Sequence, residues 1–328
     1  ARFEAATGWP VLADPLSGMR TVDTITTYDA LARCNEWITS HRPEVVVRLG
    51  RPLTSKALGL TLGSDVHQVT VAPRQMHLDP YRAAASSIVA EPRWLLANAA
   101  ENVHRGAHDW MAEWMVAEGR VRRAIDEALD AASGLTEPRI ARDVVAAAPE
   151  GSQLLLGSSM PVRDVESFAA GRHDVRLASN RGATGIDGMV STAIGMAVGS
   201  GRATVALIGD IGFLHDTNGL LMATDRDIDV TLVVIDNNGG GIFSFLPQAG
   251  HPRFEQLFGT PHGADIAAIA AAHGLTVVAP TDPNDVAPAV ADSVAAGGTR
   301  VVHLETDRHT NVAVHESIWA AVRGALQH

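Results

Sequence analysis

Short runs of apolar, mostly β-branched residues alternate along the chain with longer stretches whose apolar positions recur every three to four residues. Runs of the first kind predict strands, and stretches of the second predict helices. From residue 136 onward the rhythm is clean. Strands are expected at 153–157, 174–178, 203–208, 230–236, 275–279 and 300–305, with helices near 161–170, 187–199, 216–226, 282–296 and 315–326. Six such units joined by right-handed crossovers make one open, twisted, parallel sheet, which binds ligands at the carboxyl ends of its strands. The Ala-rich patch Ala267–Ala272 reads as close-packed helix.

The first 110 residues alternate less regularly, with strands expected at 10–14, 45–50 and 66–71 and helices near 27–39 and from Thr54. From Trp94 to Ser133 the pattern is helical throughout. Ser133-Gly134 then breaks it, and Thr136 is expected to cap a new helix with Pro138 in its first turn. The fold class expected is therefore α/β, two doubly wound parallel-sheet domains: 1–130 with a helical linker, and 131–328. The opening ARFEAATGWPVLADP reads as the end of a helix running into a strand. The first domain is accordingly expected to lack its start, in a C-terminal portion of a longer protein.

Composition narrows the partners. A chain of 328 residues with 46% hydrophobic content can bury two cores. Its net charge of −11 comes from scattered acids without a basic stripe, which argues against nucleic acid. No apolar segment reaches the length of a membrane span. The single cysteine, Cys34, allows no internal disulfide and fits a reducing cytoplasm, with core packing as its expected role. No strand is followed by G-x-G-x-x-G, which disfavours a dinucleotide-binding fold.

Chemistry concentrates between Val205 and Phe245. Two buried-type strands end in Gly209-Asp210 and in Asn237-Asn238 with three glycines, and parallel strands end on the same sheet edge, so Asp210 and Asn237 are expected to be neighbours. A carboxylate and an amide oxygen beside glycines make an all-oxygen site for a hard cation such as Mg²⁺, with room for phosphate oxygens. The glycines also let backbone N–H groups approach a phosphate, aided by the helix that follows Asp210. Either dipeptide alone is an ordinary turn; the pair, at this spacing, is a metal-diphosphate cradle. Two further loops, GSSMPVRD (157–164) and SNRGATGIDG (179–188), follow the first two strands of this half and bring Arg163 and Arg181 to the same edge. An arginine can hold a carboxylate in a bidentate grip. The competing reading of each is a helix C-terminal cap, or a pair with Asp164 or Asp187.

These motifs carry a resemblance. The pairing of Asp210 with Asn237 resembles the GD…NN signature of thiamine-diphosphate (ThDP) enzymes. GSSMPVRD, SNRGATGIDG, GDIGFLHDTNGLL, DNNGGGIFSFLP and FEQLFGTPHG, in that order, resemble the MenD family of ThDP-dependent synthases of menaquinone biosynthesis. PVLADPLSG and RLGRPLTSK are more weakly similar to its middle domain. The resemblance implies Mg²⁺, or Mn²⁺, held by Asp210, Asn237 and the Gly239 carbonyl, with Gly209, Ile186 and Ile242 also at the cofactor. Ile186 would prop the cofactor in its bent form. It implies Ser159, Arg163 and Arg181 toward the substrates, Phe243, Leu246 and Ile242 as an apolar wall around the reacting carbon, and Lys56 near the substrate from the middle domain.

The reaction implied joins 2-oxoglutarate, with loss of CO₂, to isochorismate, in a cytoplasmic homo-oligomer that is at least a dimer and, in the family, commonly a tetramer. The family's catalytic glutamate lies in an upstream pyrimidine-binding domain, so these 328 residues alone are expected to be inactive. Arg48, Arg51 and Arg74, at or past two adjacent strand ends, are a candidate site for an anionic regulator, with solvated surface arginines as the alternative. Two rival functions are weighed. An acetolactate-synthase-like carboligase or decarboxylase would share the cradle but not the set Ser159, Arg163 and Arg181. A non-catalytic nucleotide-binding or interaction module would keep only the sheet.

Overall fold

The computed structural model describes residues 2–63, 65–76, 79–103, 105, 109–182, 185–223 and 228–327. It contains two parallel sheets. The smaller has β1 (Val45–Leu49), β2 (His67–Ala72) and β3 (Ala84–Val89) side by side in that order. The larger is built from β4 (Gln153–Leu156), β5 (Arg176–Ser179), β6 (Thr204–Gly209), β7 (Val230–Asp236), β8 (Thr276–Val278) and β9 (Thr299–Glu305). Its order is β5-β4-β6-β7-β9-β8, with every pair parallel. From β4 the chain crosses to β5 on one side and then returns to β6 on the other. That reversal opens a crevice between the loops leaving β4 and β6.

Central strands of a sheet covered on both faces read as unbroken apolar runs, and β4, β6 and β7 are buried almost end to end. Successive side chains point to opposite faces. Leu154, Leu156, Val205, Leu207, Val233 and Ile235 pack under helices Glu137–Ala147, Met160–Phe168 and Val286–Ala295. Leu155, Ala206, Ile208, Leu232 and Val234 pack under helices Met189–Ser200, Asp210–His215 and Ile266–Ala272. Each of these buried Val, Leu and Ile side chains contributes roughly 1.5–3 kcal/mol, so these two layers dominate the stability of this half.

A third core joins the two sheets. Helix Trp110–Asp130 packs against helix Arg308–Leu326, and Trp114, Ile125 and Leu129 meet Ile318, Trp319 and Val322 there together with Tyr28, Leu31 and Phe168. Polar bonds cross the same joint. Arg20 is buried and donates to the carbonyls of Val165, Glu166 and Ala169. Glu166 accepts from the Tyr28 hydroxyl at 2.6 Å and from the Ser55 amide at 2.9 Å.

Several local expectations are corrected. Residues 10–14 make only the single bridge Leu12–Ile25, because no neighbouring strand continues the ladder. The strand β3 was not expected; its sequence AASSIV lacks an apolar run, and it is mostly exposed. The segment 94–133 is not continuous helix but Pro92–Ala99 and Trp110–Asp130. The helix expected at 27–39 is broken at Arg33-Cys34 into Tyr28–Ala32 and Asn35–Ser40, with Cys34 buried at the break. Thr136 occupies the N-cap position of Glu137–Ala147, but its hydroxyl makes no capping bond. The helix expected at 216–226 is a 3₁₀ turn, Thr217–Met222, and positions 224–227 lie outside the described residues.

Glu166 makes the joint pH-sensitive. Burial, reinforced by the nearby Asp29 carboxylate, raises its pKa from 4.5 to about 8. The folded state therefore binds this proton more tightly than the unfolded chain, a stabilisation that is complete below the unfolded pKa and lost as pH rises toward about 8. Thermal unfolding between about pH 5 and pH 8.5 should show a falling midpoint in the wild type, and Glu166→Gln, which keeps an acceptor without the titration, should flatten that decline.

Candidate functional site

The site is assembled at the carboxyl edge of β6 and β7. Gly209 closes β6, and Asp210 opens the helix Asp210–His215 with its carboxylate buried. Burying a carboxylate requires donors, and three are present: the Gly239 amide at 2.8 Å, the Ile211 amide at 2.6 Å and the His262 ring at 3.1 Å. Burial raises the Asp210 pKa, and these bonds oppose the rise. Asp210 was expected beside Asn237; its direct contact is with Gly239, two residues further on, as β6 and β7 pair in parallel register up to Gly209 and Ile235.

The segment after β7 has the shape its glycines allow. Asn238 adopts φ 58, a left-handed conformation that asparagine tolerates, and Gly239 adopts φ 141, which a side chain does not. A Cβ at Gly239 or Gly240 would run into the carbonyl oxygens of Gly259 or Phe258. The backbone of the FEQLFGTPHG segment therefore lies directly over the glycines. It is pinned there by Gly240 N to Gly259 O at 2.8 Å, and by the His262 and Gly263 amides donating to Asn238 Oδ1 at 3.0 and 2.9 Å. Arg308, buried, holds Glu255 through both terminal guanidinium nitrogens and reaches the Asn238 carbonyl through Nε.

Asn237 is buried. Its Nδ2 donates to Glu137 at 2.8 Å, and its Oδ1 has no hydrogen-bond partner among the described residues. An orphaned buried acceptor costs about 1–3 kcal/mol, so a structure that keeps one at this position invites a ligand for it. Asp210 carboxylate, Asn237 Oδ1 and the Gly239 carbonyl are all hard oxygen donors, and they fit a Mg²⁺ or Mn²⁺ ion. The Gly239 oxygen already accepts from Gly241 N at 3.0 Å, which leaves its second lone pair. Asp236 and His262 lie at the same place, their ligand atoms and that of Asp210 all within 4.8 Å of one another. Against the burial that would raise it, His303 at 2.9 Å and the Asn238 amide hold the Asp236 carboxyl below its usual pKa.

The loops after β4 and β5 meet on one side of the crevice. Ser158 Oγ donates to the Asn180 carbonyl at 2.8 Å, and Asn180 Nδ2 reaches Thr192 Oγ1 at 2.9 Å. Ser159 starts the helix Met160–Phe168 and is half-buried. Arg163 donates to the carbonyls of Ser158 and Ser159, bracing its own loop; burial and then the charge of Arg181 lower its pKa, so the two arginines feel each other. Arg181 is exposed, and Ala183 and Thr184 of this loop lie outside the described residues. The Ile186 carbonyl lies 4.0 Å from where a Cβ of Gly212 would stand, against the helix that begins at Asp210. Ile242 and Phe243 share the 3₁₀ turn Gly241–Phe245, half-buried, with Phe243 packed on Phe258 at 5.7 Å between ring centroids. Leu246, just beyond, is exposed.

Middle-region candidates have different partners. Arg48 is ion-paired with Asp79 at 2.8 Å, whereas Arg74 and Lys56 are exposed. Arg51 stands 3.5 Å from the Arg181 carbonyl, a long contact that brings the small-sheet region to the loop after β5. Glu137, Asp236, His262 and Arg308 were not among the expected site residues. Thr136-Glu137-Pro138 carries only a helix-start signal; Asp236 sits next to Asn237 in the DNNGGG run and was passed over, and His262 and Arg308 are joined to the site through contacts far apart in sequence.

Comparison with known proteins agrees with this geometry. Residues 167–304 match the model of the thiamine pyrophosphate enzyme C-terminal TPP-binding domain, and residues 1–156 match that of the thiamine pyrophosphate middle domain. Proteins called 2-succinyl-5-enolpyruvyl-6-hydroxy-3-cyclohexene-1-carboxylate synthase are similar along nearly the whole chain. Those of Chloroflexus aurantiacus and Myxococcus xanthus are both 40% identical, over 97% and 98% of this chain and 56% of each relative; that of Thermobifida fusca is 39% identical over 99% and 58%. The chain spans about half the length of these curated relatives. The crystal structure of benzoylformate decarboxylase from Polynucleobacter necessarius shares the fold, with TM-score 0.64 at 17% identity, over 94% of this chain and 58% of that one. Two adjoining domain models of one enzyme class, and relatives of a single name across both, place the chain in the thiamine-diphosphate-dependent enzyme family, as a member of its MenD branch.

Proposed function

We propose that the chain supplies the middle domain, 1–130, and the diphosphate- and metal-binding domain, 131–328, of a 2-succinyl-5-enolpyruvyl-6-hydroxy-3-cyclohexene-1-carboxylate synthase. The observation that carries the reading is the buried contact of Asp210 with the Asn237–Gly239 segment, beside the unpartnered Asn237 Oδ1. In it, Asp210, Asn237 and Gly239 hold Mg²⁺ or Mn²⁺, and the metal and the helix after Gly209 hold the cofactor's diphosphate. Bound ThDP supplies the nucleophilic carbon that takes up a 2-oxo acid and lets CO₂ leave. Ile186, Ile242, Phe243 and Leu246 keep that region dry and the cofactor bent.

In the same reading the substrates are 2-oxoglutarate and isochorismate, and both are dicarboxylates. Arg181 offers its exposed guanidinium to a carboxylate. Arg163 braces the Ser158–Ser159 loop and adds positive charge, Ser159 faces the acyl unit, and Lys56 approaches from the middle domain. The name shared by relatives about 40% identical supports this substrate pair. The relatives' greater length supports a complete synthase longer than these residues, with further contributions to the site from elsewhere in a cytoplasmic homo-oligomer. Among the described residues no helix is long and apolar enough to cross a membrane.

Two measurements test the proposal in the full-length protein. Asp210→Ala should abolish Mg²⁺-dependent ThDP binding, read as loss of tryptophan-fluorescence quenching, whereas wild-type protein that binds ThDP equally well with and without the metal would sink the cradle. Arg181→Lys, which loses the bidentate fork, should raise KM for a dicarboxylate substrate about tenfold or more with little change in ThDP affinity; turnover with 2-oxoglutarate and isochorismate in the wild type is the reference, and its absence would remove the substrate assignment.

A further inference from the structure

A primary carboxamide has nearly the same shape at both ends but opposite hydrogen-bonding character, so only its neighbours decide which end faces where. At Asn237 the neighbour is Glu137, from the first turn of helix Glu137–Ala147, which accepts from Nδ2 at 2.8 Å. Glu137 is 2% exposed. Its helix is fixed by apolar burial, with Ile140, Ala141 and Val144 in the core below β4 and β6. The glycine turn is fitted to the same contact: a Cβ at Gly241 would approach Asn237 Nδ2 to 2.6 Å, so the absence of a side chain there leaves space for the amide. With the donor end committed to Glu137, the end without a partner among the described residues is Oδ1.

We infer that Glu137 is a positioning residue for the metal site, holding the Asn237 carboxamide with Oδ1 as the end presented to a divalent cation. The inference rests on the metal-diphosphate reading and adds to it a residue that touches neither metal nor cofactor. Without Glu137 the carboxamide is free to turn over and present Nδ2, a donor that repels a cation. Partners that orient metal ligands in this way typically change metal affinity by about 10–100-fold when removed.

The probe is Mn²⁺ in the presence of ThDP, its uptake by the full-length protein followed by electron paramagnetic resonance, with the melting temperature of the metal-free protein measured in parallel. Glu137→Met removes the acceptor and should weaken Mn²⁺ binding at least about tenfold. Glu137→Gln removes the charge but keeps an acceptor, and should bind Mn²⁺ nearly as the wild type does. Equal losses in both variants would mean that Glu137 acts through charge, and would overturn the inference. A reciprocal exchange decides the matter even if Glu137→Met does not fold. Asn237→Asp sets two acceptors face to face and should weaken Mn²⁺ binding, and adding Glu137→Gln, whose amide can donate to the new carboxylate, should restore most of it. A double variant no better than Asn237→Asp alone would overturn the inference, as would a Glu137→Met protein with wild-type affinity. Wild-type protein that takes up no Mn²⁺ with ThDP would overturn the metal reading itself, and this inference with it.

Discussion

The amide of Gly239 donating to the buried carboxylate of Asp210 ties the end of β7 to the end of β6, and the site depends on that bond. A buried carboxylate without donors is far more costly than one with three, so the loop after β7 has to bend back far enough for its amide to reach. Bending requires φ 58 at Asn238 and φ 141 at Gly239, and close passage beneath the 258–259 backbone, where only glycines fit. One electrostatic requirement thereby dictates the shape of the loop, and the shape sets the Gly239 amide against the Asp210 carboxylate, two residues beyond Asn237 with its partnerless Oδ1.

The sheet supplies the stiffness this arrangement needs. β6 and β7 are paired over their length and buried on both faces, so their ends move little relative to one another. Helix Glu137–Ala147, held by its apolar face, carries Glu137 to Asn237 from the opposite side of the sheet edge. Arg308, from the C-terminal helix, clamps Glu255 and the Asn238 carbonyl. That same helix packs on Trp110–Asp130 in the core that joins the two sheets. The site is therefore mechanically continuous with the joint, where Arg20 and Glu166 link the first fifty-odd residues to the helix beginning at Met160.

Much of this was legible in one dimension. The six strands of the large sheet were placed to within a few residues, the central β4, β6 and β7 most plainly, because strands buried on both faces are written as uninterrupted apolar runs. Asp210 and Asn237 could be paired because parallel strands end on one edge. The small sheet was harder to read: β3 is half-polar and exposed, and 10–14 looks like a strand yet finds no ladder. Helices were over-extended at Arg33-Cys34 and after Asp216, where a propensity pattern persists but backbone packing turns the chain.

Local pattern determined the strands of the large sheet and their parallel class, and it offered Asp210 and Asn237 as candidate metal ligands, since each of these follows from residue spacing and backbone conformational limits. Tertiary structure alone decided which end of Asn237 remains unpartnered, that Glu137 faces it, that His262 reaches Asp210 and that Arg163 is spent on its own loop. Those outcomes depend on contacts between residues far apart in sequence, and hydrogen-bond direction across such contacts is set by three-dimensional position, which spacing along the chain does not encode.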